Sequence, residues 1–408
     1  MRGAKVTLAD EASPIQDRVI TLGRGLAPIP ERLLLAHARG EVLFVCGAGI
    51  SKASKLPDFR ELVIEVYAQL DSKVHAIISH LPIGACNQWE TDLSSLNDPQ
   101  KAEVKRFIMR DYDVVLGMLE RRLDQKTLDN SRVRQVVAQC LNGIKSKPAP
   151  LHRALMKLAD RGGASTIVTT NFDLLLEKAR NRTTPAPQCY SLGSIPRPTR
   201  QTNFSGVLHI HGALDNNPKR SAELVLSDQD FGEFYLRRRV VPDFIYDAAR
   251  LFHIVLIGYS ANDPPMRYLL NAVAADGSRF DDLKERFTFT SQSDPVDLED
   301  WKARGITPIH YPPDNGHASL CQTLERWAEL SAINGKREKV ESTIRKIVKA
   351  PRMLAPEHER DLFDHLIRRE DASARDKLIA LVTNAKADIG WLDATISILS
   401  EKEREVRP

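Results

Sequence analysis

Short runs of apolar, β-forming residues recur along this chain of 408 residues, and they constrain its fold more than any other feature. The run at 41–46, Glu-Val-Leu-Phe-Val-Cys, lies between Gly40 and Gly47. Such a run is typical of a strand buried on both faces of a parallel sheet. Similar runs follow at 165–169, 206–210, 253–258, 287–290 and 306–310. Helical patterns, for example at 151–161 and 266–275, separate several of them, so the sequence predicts an α/β fold with a doubly wound, mostly parallel sheet.

Three regions depart from this alternation. Residues 1–29 predict an irregular lead-in. Residues 62–147 are charged, with apolar residues at helical spacing, and predict a helical insertion over the sheet. Residues 331–408 are polar and repeat apolar residues every three or four positions, which indicates amphipathic helices. We expect one domain over 1–330, and a C-terminal helical region over 331–408 that packs on its own domain or contacts an oligomer or a partner.

Composition argues against several classes of protein. The net charge is only +4 and there is no long basic run, so the sequence does not indicate a direct nucleic-acid site. No apolar run approaches the roughly 18 residues of a membrane helix, and the N-terminus lacks the apolar core of a signal peptide. The five scattered cysteines include no CxxC pair, which predicts neither a zinc ribbon nor a disulfide framework. We expect a cytoplasmic protein with free thiols and no zinc.

Three segments, far apart in the sequence, are interpreted together as one active site. The first, Gly47-Ala48-Gly49-Ile50-Ser51, runs on to Pro57-Asp58-Phe59-Arg60. The second is Thr169-Thr170-Asn171-Phe172-Asp173, directly after an apolar run, and the third is His211-Gly212. The first supplies a phosphate-binding loop, and the other two supply polar groups suited to breaking a glycosidic bond next to that phosphate.

The glycine loop has the strand, Gly-x-Gly, helix pattern that places backbone N–H groups and a positive helix end against a pyrophosphate. Gly47 and Gly49 lack a Cβ, so the chain can turn sharply and a ligand can approach closely. The third glycine of the usual dinucleotide fingerprint is absent. Asp58, Phe59 and Arg60 supply an acid, a ring and a guanidinium that are suited to wrap the ribose and nicotinamide of a dinucleotide.

These residues resemble the signature of the sirtuin family. Residues 47–60 are similar to its Gly-Ala-Gly, Ser and Pro-Asp-Phe-Arg elements, 169–173 to its Asn-x-Asp motif, and His211-Gly212 to its catalytic His-Gly. Gly258-Tyr259-Ser260, with Asn262-Asp263, resembles the late loop that completes the NAD pocket. The resemblance covers about 34–270 and implies a Rossmann-like, NAD-binding catalytic domain within 1–330.

The resemblance implies that Asn171 and His211 are the catalytic pair and that NAD+ is the substrate. The amide of Asn171 can both donate and accept, which suits it to orient a ribose hydroxyl or a water. A histidine pKa near 7 suits His211 to act as a base. Asp173 is the third expected catalytic residue. Either Asp58 or Asp173 is suited to contact the nicotinamide amide. The expected NAD-binding residues are Gly47, Ala48, Gly49, Ser51, Asp58, Phe59, Arg60, Thr170, Phe172, Gly258, Tyr259, Ser260 and Asp263.

Structural alternatives remain open for these residues. Asn171 is also a plausible cap for a helix that begins near Leu174. His211 before a glycine is also a plausible turn histidine, and His209, two residues earlier, competes with it as the base because both face one side of an extended strand. Asp263, followed by two prolines, is also typical of a helix start.

Departures from the sirtuin pattern favour NAD hydrolysis. Sirtuin deacylases carry a four-cysteine zinc ribbon, which is absent here, and residues 213–220 are polar and rich in turn formers where deacylases pair with an acyl-lysine peptide. In this respect the chain resembles the sirtuin-like NADases of bacterial antiphage defence. We therefore expect an NAD+ glycohydrolase that depletes NAD. The alternatives are a protein deacylase or ADP-ribosyltransferase, which requires an acceptor, and a non-catalytic sensor of NAD or ADP-ribose, which binds without turnover.

The same resemblance implies how such an enzyme is controlled. Antiphage NADases are held inactive until infection, and the family resemblance implies oligomerisation or a partner as the control. We expect a homo-oligomer. Chains of this size with a helical tail resemble most the sirtuin-like subunit that pairs with a hexameric HerA-type DNA-translocating ATPase.

Overall fold

The computed structural model describes residues 18–82, 92–124, 131–143, 145–180, 187–198, 205–214, 223–259, 283–370 and 372–405. Strands within these ranges form a two-stranded antiparallel hairpin and one larger sheet. In chain order they are β1 Val19–Thr21, β2 Pro28–Pro30, β3 Val42–Cys46, β4 Thr166–Thr169, β5 Cys189–Ser191, β6 Gly206–His209, β7 His253–Ile257, β8 Arg286–Thr290 and β9 Ile306–His310.

The larger sheet is parallel throughout and has the order β5-β6-β4-β3-β7-β8-β9. From β3 the chain winds to one side through β4, β5 and β6, and it then returns to the other side through β7, β8 and β9. The predicted doubly wound α/β fold is therefore confirmed. In such sheets, ligands bind at the carboxyl ends of the strands, where the winding direction reverses. Here that point lies between β3 and β7.

Helices flank the sheet, and further helices come after it in the chain. Those of the main domain are α1 Glu31–Ala38, α2 Phe59–Leu70, α3 Ser72–Ile78, α4 Asp98–Ile108, α5 Tyr112–Asp124, α6 Arg132–Gly143, α7 Pro150–Leu158, α8 Leu175–Lys178, α9 Asp228–Phe231, α10 Val240–Leu251, α11 Pro295–Ala303 and α12 Ala318–Leu330. The C-terminal helices are α13 Arg337–Ile347, α14 Glu357–Arg368, α15 Ala372–Asn384 and α16 Ile389–Glu405. A 3-10 helix, Ala48–Ser54, follows β3, and a π-helical turn, Gly232–Arg237, follows α9.

The central strand β3 is buried along its whole length, as its apolar run predicts. Its side chains alternate between two cores because successive residues of a strand point to opposite faces. Phe44 and Cys46 belong to a core shared with α1, α7, α12 and the C-terminal helices. Leu43 and Val45 belong to a core shared with α10.

The predicted insertion consists of helices α2 to α6 where the structure describes it. These helices enclose their own core, which reaches the main domain through Leu214, Leu224 and Leu226. Arg122 crosses this small domain and binds the carboxylates of Asp71 and Glu103 at 2.7 and 2.8 Å. The insertion is therefore a packed unit joined to the sheet near the end of β6.

The C-terminal helices bury their apolar faces against the chain itself. Their apolar positions enter the same core as β3; among them are Leu362, Phe363, Leu366, Ile367, Leu378 and Val382. Arg368 binds Glu31 of α1 at 2.6 Å, and His365 contacts the same carboxylate at 3.2 Å. Of the two expectations for this region, the structure shows packing on its own domain.

The prediction of an irregular lead-in is wrong for its described part. Residues 18–30 contain β1 and β2, which are too short to give a periodic signal, and Ile20 and Ile29 are buried in the main core. The edge strand β5 was not predicted either, since Cys189-Tyr190-Ser191 is only three residues long. The helix predicted at 266–275 lies outside the described residues. Within the described residues, no helix is long and apolar enough to cross a membrane.

The turn after β3 packs directly on the turn after β7. A Cβ on Gly47 would lie 2.7 Å from the Gly258 carbonyl oxygen, and a Cβ on Gly49 would lie 2.8 Å from the Gly258 Cα. Gly258 itself has a φ of +76°, which favours glycine. These glycines are therefore required by backbone packing, whatever ligand the site takes.

We expect Gly49→Ala to lower the free energy of unfolding by roughly 1–3 kcal/mol, because the new methyl group meets backbone that cannot move aside cheaply. Gly232→Ala is the matched control. Its backbone is helical and a Cβ there meets nothing within 4 Å, so the change should leave stability equal or raise it by up to about 1 kcal/mol. Urea denaturation compares the two variants, and equal midpoints would contradict the packing argument.

Candidate active site

A cavity of about 1140 Å³ opens at the carboxyl ends of the central strands. This exceeds the range of roughly 300–1,000 Å³ that is usual for small-molecule sites. Most of the predicted site residues line it: Ala48, Gly49, Ser51, Asp58, Phe59, Arg60, Thr170, Asn171, Phe172, Asp173, His211, Gly258 and Tyr259. Ser260 and Asp263 lie outside the described residues. The three segments that the sequence analysis grouped together therefore do converge on one cavity.

Tyr259 ties three strand ends together at the wall of this cavity. Its hydroxyl donates to the carbonyl of Cys46, at the end of β3, over 3.0 Å. The same hydroxyl lies 3.1 Å from Thr170 Oγ1, directly after β4. Because Tyr259 follows β7, the ends of three adjacent strands share one hydrogen-bonded junction.

The glycine turn uses its own amides for this junction. Gly47 N donates to Ile257 O at 2.8 Å, Gly49 N to Gly258 O at 3.0 Å, and Ile50 N to Gly47 O at 3.2 Å. These N–H groups are therefore engaged within the protein and are not directed at a ligand. The phosphate-binding role of the turn stays a prediction. The clearest contribution of this segment to the cavity is the side chain of Ser51.

Ser51 connects the other polar groups. Its hydroxyl donates to Asp173 Oδ2 at 2.9 Å and accepts from Asn171 Nδ2 at 3.1 Å. His152 Nε2, from the first turn of α7, lies 3.4 Å from the same hydroxyl. Burial lowers the pKa of His152, and the nearby Asp173 carboxylate partly offsets that shift. A hydroxyl, an amide and a carboxylate are thus held in fixed positions on one wall.

The helix-capping alternative for Asn171 is not what the structure shows. Asp173 Oδ1 accepts from Leu175 N at 3.0 Å and so supplies the side-chain contact at the start of α8. The Asn171 side chain points to Ser51 instead, and only 8% of the residue is exposed.

His211 lines the same cavity shortly after β6 and is almost fully buried. Its Nε2 is 2.5 Å from the hydroxyl of Tyr235, and its ring contacts the Phe231 ring edge-on at 5.5 Å between centroids. Burial lowers the pKa of His211 to about 3, well below the value near 7 expected from the sequence. The imidazole is therefore neutral at physiological pH.

His209 does not compete with His211 for the cavity. Its Nδ1 lies 2.8 Å from the carbonyl oxygen of Asn171, and its Nε2 lies 2.8 Å from Glu177 Oε1. Burial by itself lowers the pKa of His209, but contacts with Cys189 and Glu177 outweigh it and raise that pKa to about 10. Although the two histidines are close in sequence, His211 lines the cavity and His209 faces Glu177 and Cys189.

The segment 57–60 has a structural role besides its place in the cavity wall. Asp58 begins α2 with a capping box, accepting from Glu61 N at 2.9 Å, and it pairs with Lys52 at 2.9 Å. Arg60 donates to the carbonyl of Leu81 and lies over the Phe107 ring at 5.4 Å. Asp58 and Arg60 thus also attach the insertion to the site.

A buried arginine fixes the segment that carries Phe231 and Tyr235. Arg134 of α6 is 2% exposed and binds both carboxylate oxygens of Asp230, at 2.8 and 2.7 Å. It also donates to Leu224 O at 2.7 Å. Since Asp230 precedes Phe231 in α9, the insertion holds the aromatic side chains that surround His211. The π-helical turn after α9 then places Tyr235, and such turns are frequent at functional sites.

Sequence reasoning missed several residues in and around the cavity. Tyr235 contacts His211 and His152 contacts Ser51 from behind the cavity lining. Both sit in helices and follow no motif, so nothing in the sequence marks them. Residues that follow β8 and β9, and residues of α12, also line the cavity; the polar ones include Gln292, Tyr311, His317 and Glu325. The first two of these had a signal, because residues directly after predicted parallel strands face the ligand edge of the sheet.

Comparison with known proteins finds a SIR2-like domain in part of this chain. Residues 165–309 match the family model of the SIR2-like domain, a range that includes Asn171 and His211. The uncharacterized protein y4cA of Sinorhizobium fredii (strain NBRC 101917 / NGR234) is 32% identical over 376 residues, which cover 86% of this chain. The chain spans 29% of the length of that relative.

Solved structures give lower similarities. One is described as the structural basis for the mechanism and regulation of Sir2 enzymes. Its alignment covers 74% of this chain and 98% of the solved chain, at 14% identity and a TM-score of 0.37. A complex of a Sir2 homologue with NAD aligns with 75% of this chain and 98% of its own, at 16% identity and a TM-score of 0.34.

The low pKa of His211 predicts that the protein loses stability in acid. Between pH 7 and 5 the unfolded histidine gains a proton with a pKa near 6.5, whereas the folded one stays neutral until about pH 3. Stability is therefore full above pH 6.5 and falls below it, by about 2 kcal/mol at pH 5 for this group. In His211→Gln the fall between pH 7 and 5 should be smaller by that amount in urea denaturation. His80→Gln, at an exposed site, is the control, and an unchanged fall in His211→Gln would refute the prediction.

Proposed function

We propose that the protein is an NAD+ glycohydrolase, which cleaves the bond between nicotinamide and ribose and passes the ribose to water. The observation that carries the proposal is the placement of Asn171 and His211 after the adjacent strands β4 and β6, facing one cavity of about 1140 Å³. The SIR2-like match over 165–309 supports it.

The reaction breaks the bond between the nicotinamide nitrogen and C1′ of the ribose. The bonding electron pair leaves with nicotinamide, which becomes neutral, and positive charge passes to the ribose ring, as in glycoside hydrolysis. The oxygen of a water then bonds to C1′, and the water loses a proton. The products are nicotinamide, ADP-ribose and one proton.

Three residues that line the cavity suit the separate parts of this step. The Asn171 amide, fixed by Ser51, is placed to orient a ribose hydroxyl or the water. The Asp173 carboxylate, held by the same hydroxyl, favours a cation on the ribose. His211 accepts the proton of the water; a histidine with a low pKa is enough, because water becomes strongly acidic as its oxygen bonds to the cation.

We propose further that the enzyme is an antiphage effector that depletes NAD, and that a homo-oligomer and a hexameric HerA-type ATPase control it. The support is the sequence resemblance: the glycine turn, the Asn and His motifs, and the absence of a CxxC pair. Depletion of NAD harms the cell that carries out the reaction, so such an activity requires a control of this kind.

We expect purified protein, incubated with NAD+ and no acyl peptide, to release nicotinamide, and the partner ATPase to change the rate. Asn171→Ala and His211→Ala should each lower the rate by at least about 100-fold, since each removes a group that acts on the reacting atoms. Cys140→Ser, outside the cavity lining, is the control, and chromatography follows nicotinamide. Turnover only with an acyl-lysine or protein acceptor would replace the proposal with a deacylase or transferase. Binding of NAD+ with no turnover under any condition would replace it with a sensor.

Tyr235 is expected to act as a positioning residue through its 2.5 Å contact with His211 Nε2. In Tyr235→Phe the imidazole loses this contact, so kcat should fall between about 10-fold and 100-fold while KM stays within about twofold. Tyr246→Phe, on α10 outside the cavity lining, removes a hydroxyl without touching His211. Equal kcat values for the two variants would show that the Tyr235 hydroxyl does not position the histidine.

A further inference from the structure

Three metal-ligating side chains from three different elements converge beside the active site. They are Glu177 of α8, Cys189 of β5 and His209 of β6, and their ligand atoms all lie within 4.8 Å of one another. His209 is fully buried, and the Glu177 side chain is 14% exposed. One nitrogen, one sulfur and one carboxylate oxygen form a donor set that suits a borderline-soft divalent cation such as zinc.

We propose that Glu177, Cys189 and His209 bind one Zn²⁺ ion, which anchors the loop that carries Asn171. The proposal concerns binding and structure, and it does not depend on the proposed cleavage of NAD+. It runs against the sequence-based expectation of no zinc, which rested on the lack of a four-cysteine ribbon. The present site uses a single cysteine and lies at the edge of the parallel sheet.

The orientation of His209 fits a metal ligand. Its Nδ1 lies 2.8 Å from the Asn171 carbonyl oxygen, which can only accept, so Nδ1 carries the proton and donates. Metal-bound histidines commonly donate their second ring N–H to a backbone carbonyl in this way. The other nitrogen, Nε2, then faces Glu177 and Cys189.

Glu177 supplies an independent indication. Its second carboxylate oxygen, Oε2, is buried and has no hydrogen-bond partner among the described residues. A buried charged oxygen without a partner costs free energy, and a bound cation would remove that cost. The carboxylate of Glu177 can therefore bind the ion through either oxygen or through both.

The distances leave room for an ion after a small opening of the side chains. Tetrahedral zinc with normal Zn–N and Zn–O bonds separates the two ligand atoms by about 3.3 Å. His209 Nε2 and Glu177 Oε1 are 2.8 Å apart, so the pair must open by about half an ångström. The opening falls on the flexible Glu177 side chain, because His209 is held by Asn171. Three protein ligands leave one tetrahedral position for water.

The consequence is a mechanical link between the metal and the candidate catalytic residue. The ion would join the start of β5, the end of β6 and α8, and His209 would connect it to the main chain at Asn171. Without an ion, the same residues form only an ion pair between imidazolium and carboxylate beside a thiol. The two arrangements differ in metal content and in the ligation of the cysteine sulfur.

The test uses the full-length protein, stripped with a chelator and titrated with Co²⁺. We expect one equivalent to bind and to give the near-ultraviolet charge-transfer band of a thiolate bound to cobalt, and Zn²⁺ to abolish that band by displacement. Cys189→Ser should remove the band and weaken binding by more than about 100-fold, since it removes a direct ligand. Cys140→Ser, the control at another partly buried free thiol, should keep both.

Elemental analysis of the unmutated protein makes the test independent of variant folding. About one zinc per chain after purification, lost with the chelator and regained from Zn²⁺ alone, supports the site. Less than about a tenth of an equivalent of Co²⁺ or Zn²⁺ at saturation, or a cobalt–thiolate band that persists in Cys189→Ser, overturns it.

Discussion

The contact between the turns after β3 and β7 is the constraint on which the rest of the site depends. Gly47 and Gly49 approach Gly258 so closely that no side chain fits between them, and their amides donate to carbonyls of the neighbouring turn. Tyr259 extends the contact to the end of β4 through Thr170. The central strand ends therefore form one rigid edge, and Ser51 and Asn171 are positioned on it.

Burial of polar groups decides the chemistry on this edge. His211 is neutral because it is removed from water and faces Tyr235 and Phe231, and Asn171 is fixed because its amide is bound to Ser51. The insertion also shapes the site, because Arg134 binds Asp230 and so holds the segment that carries Phe231 and Tyr235. A site of this kind suits a cationic reaction centre, which needs fixed dipoles and a nearby carboxylate more than a strong base.

The strands that could be predicted from the sequence are those that are buried on both faces. Runs such as 41–46 and 253–258 are apolar because parallel strands are covered on both faces, and each was found as a strand. β5 was missed because an edge strand of three residues, two of them only half-buried, gives no such run. Ser51, Asn171, Asp173 and His211, which the sequence analysis grouped, line one cavity because they follow strands whose ends meet at one edge; their roles stay predictions.

By itself, the sequence determined which segments are strands and helices, and which polar residues follow the strands, since both depend on local periodicity and on the end of each apolar run. Only the tertiary structure decided what each group faces. It engaged the amides of Gly47 and Gly49 within the protein, left His211 a buried, neutral imidazole beside Tyr235, and turned His209 towards Glu177 and Cys189. The physical reason is that burial and hydrogen bonding are set by contacts between segments that lie far apart in the chain, and these contacts have no local signal.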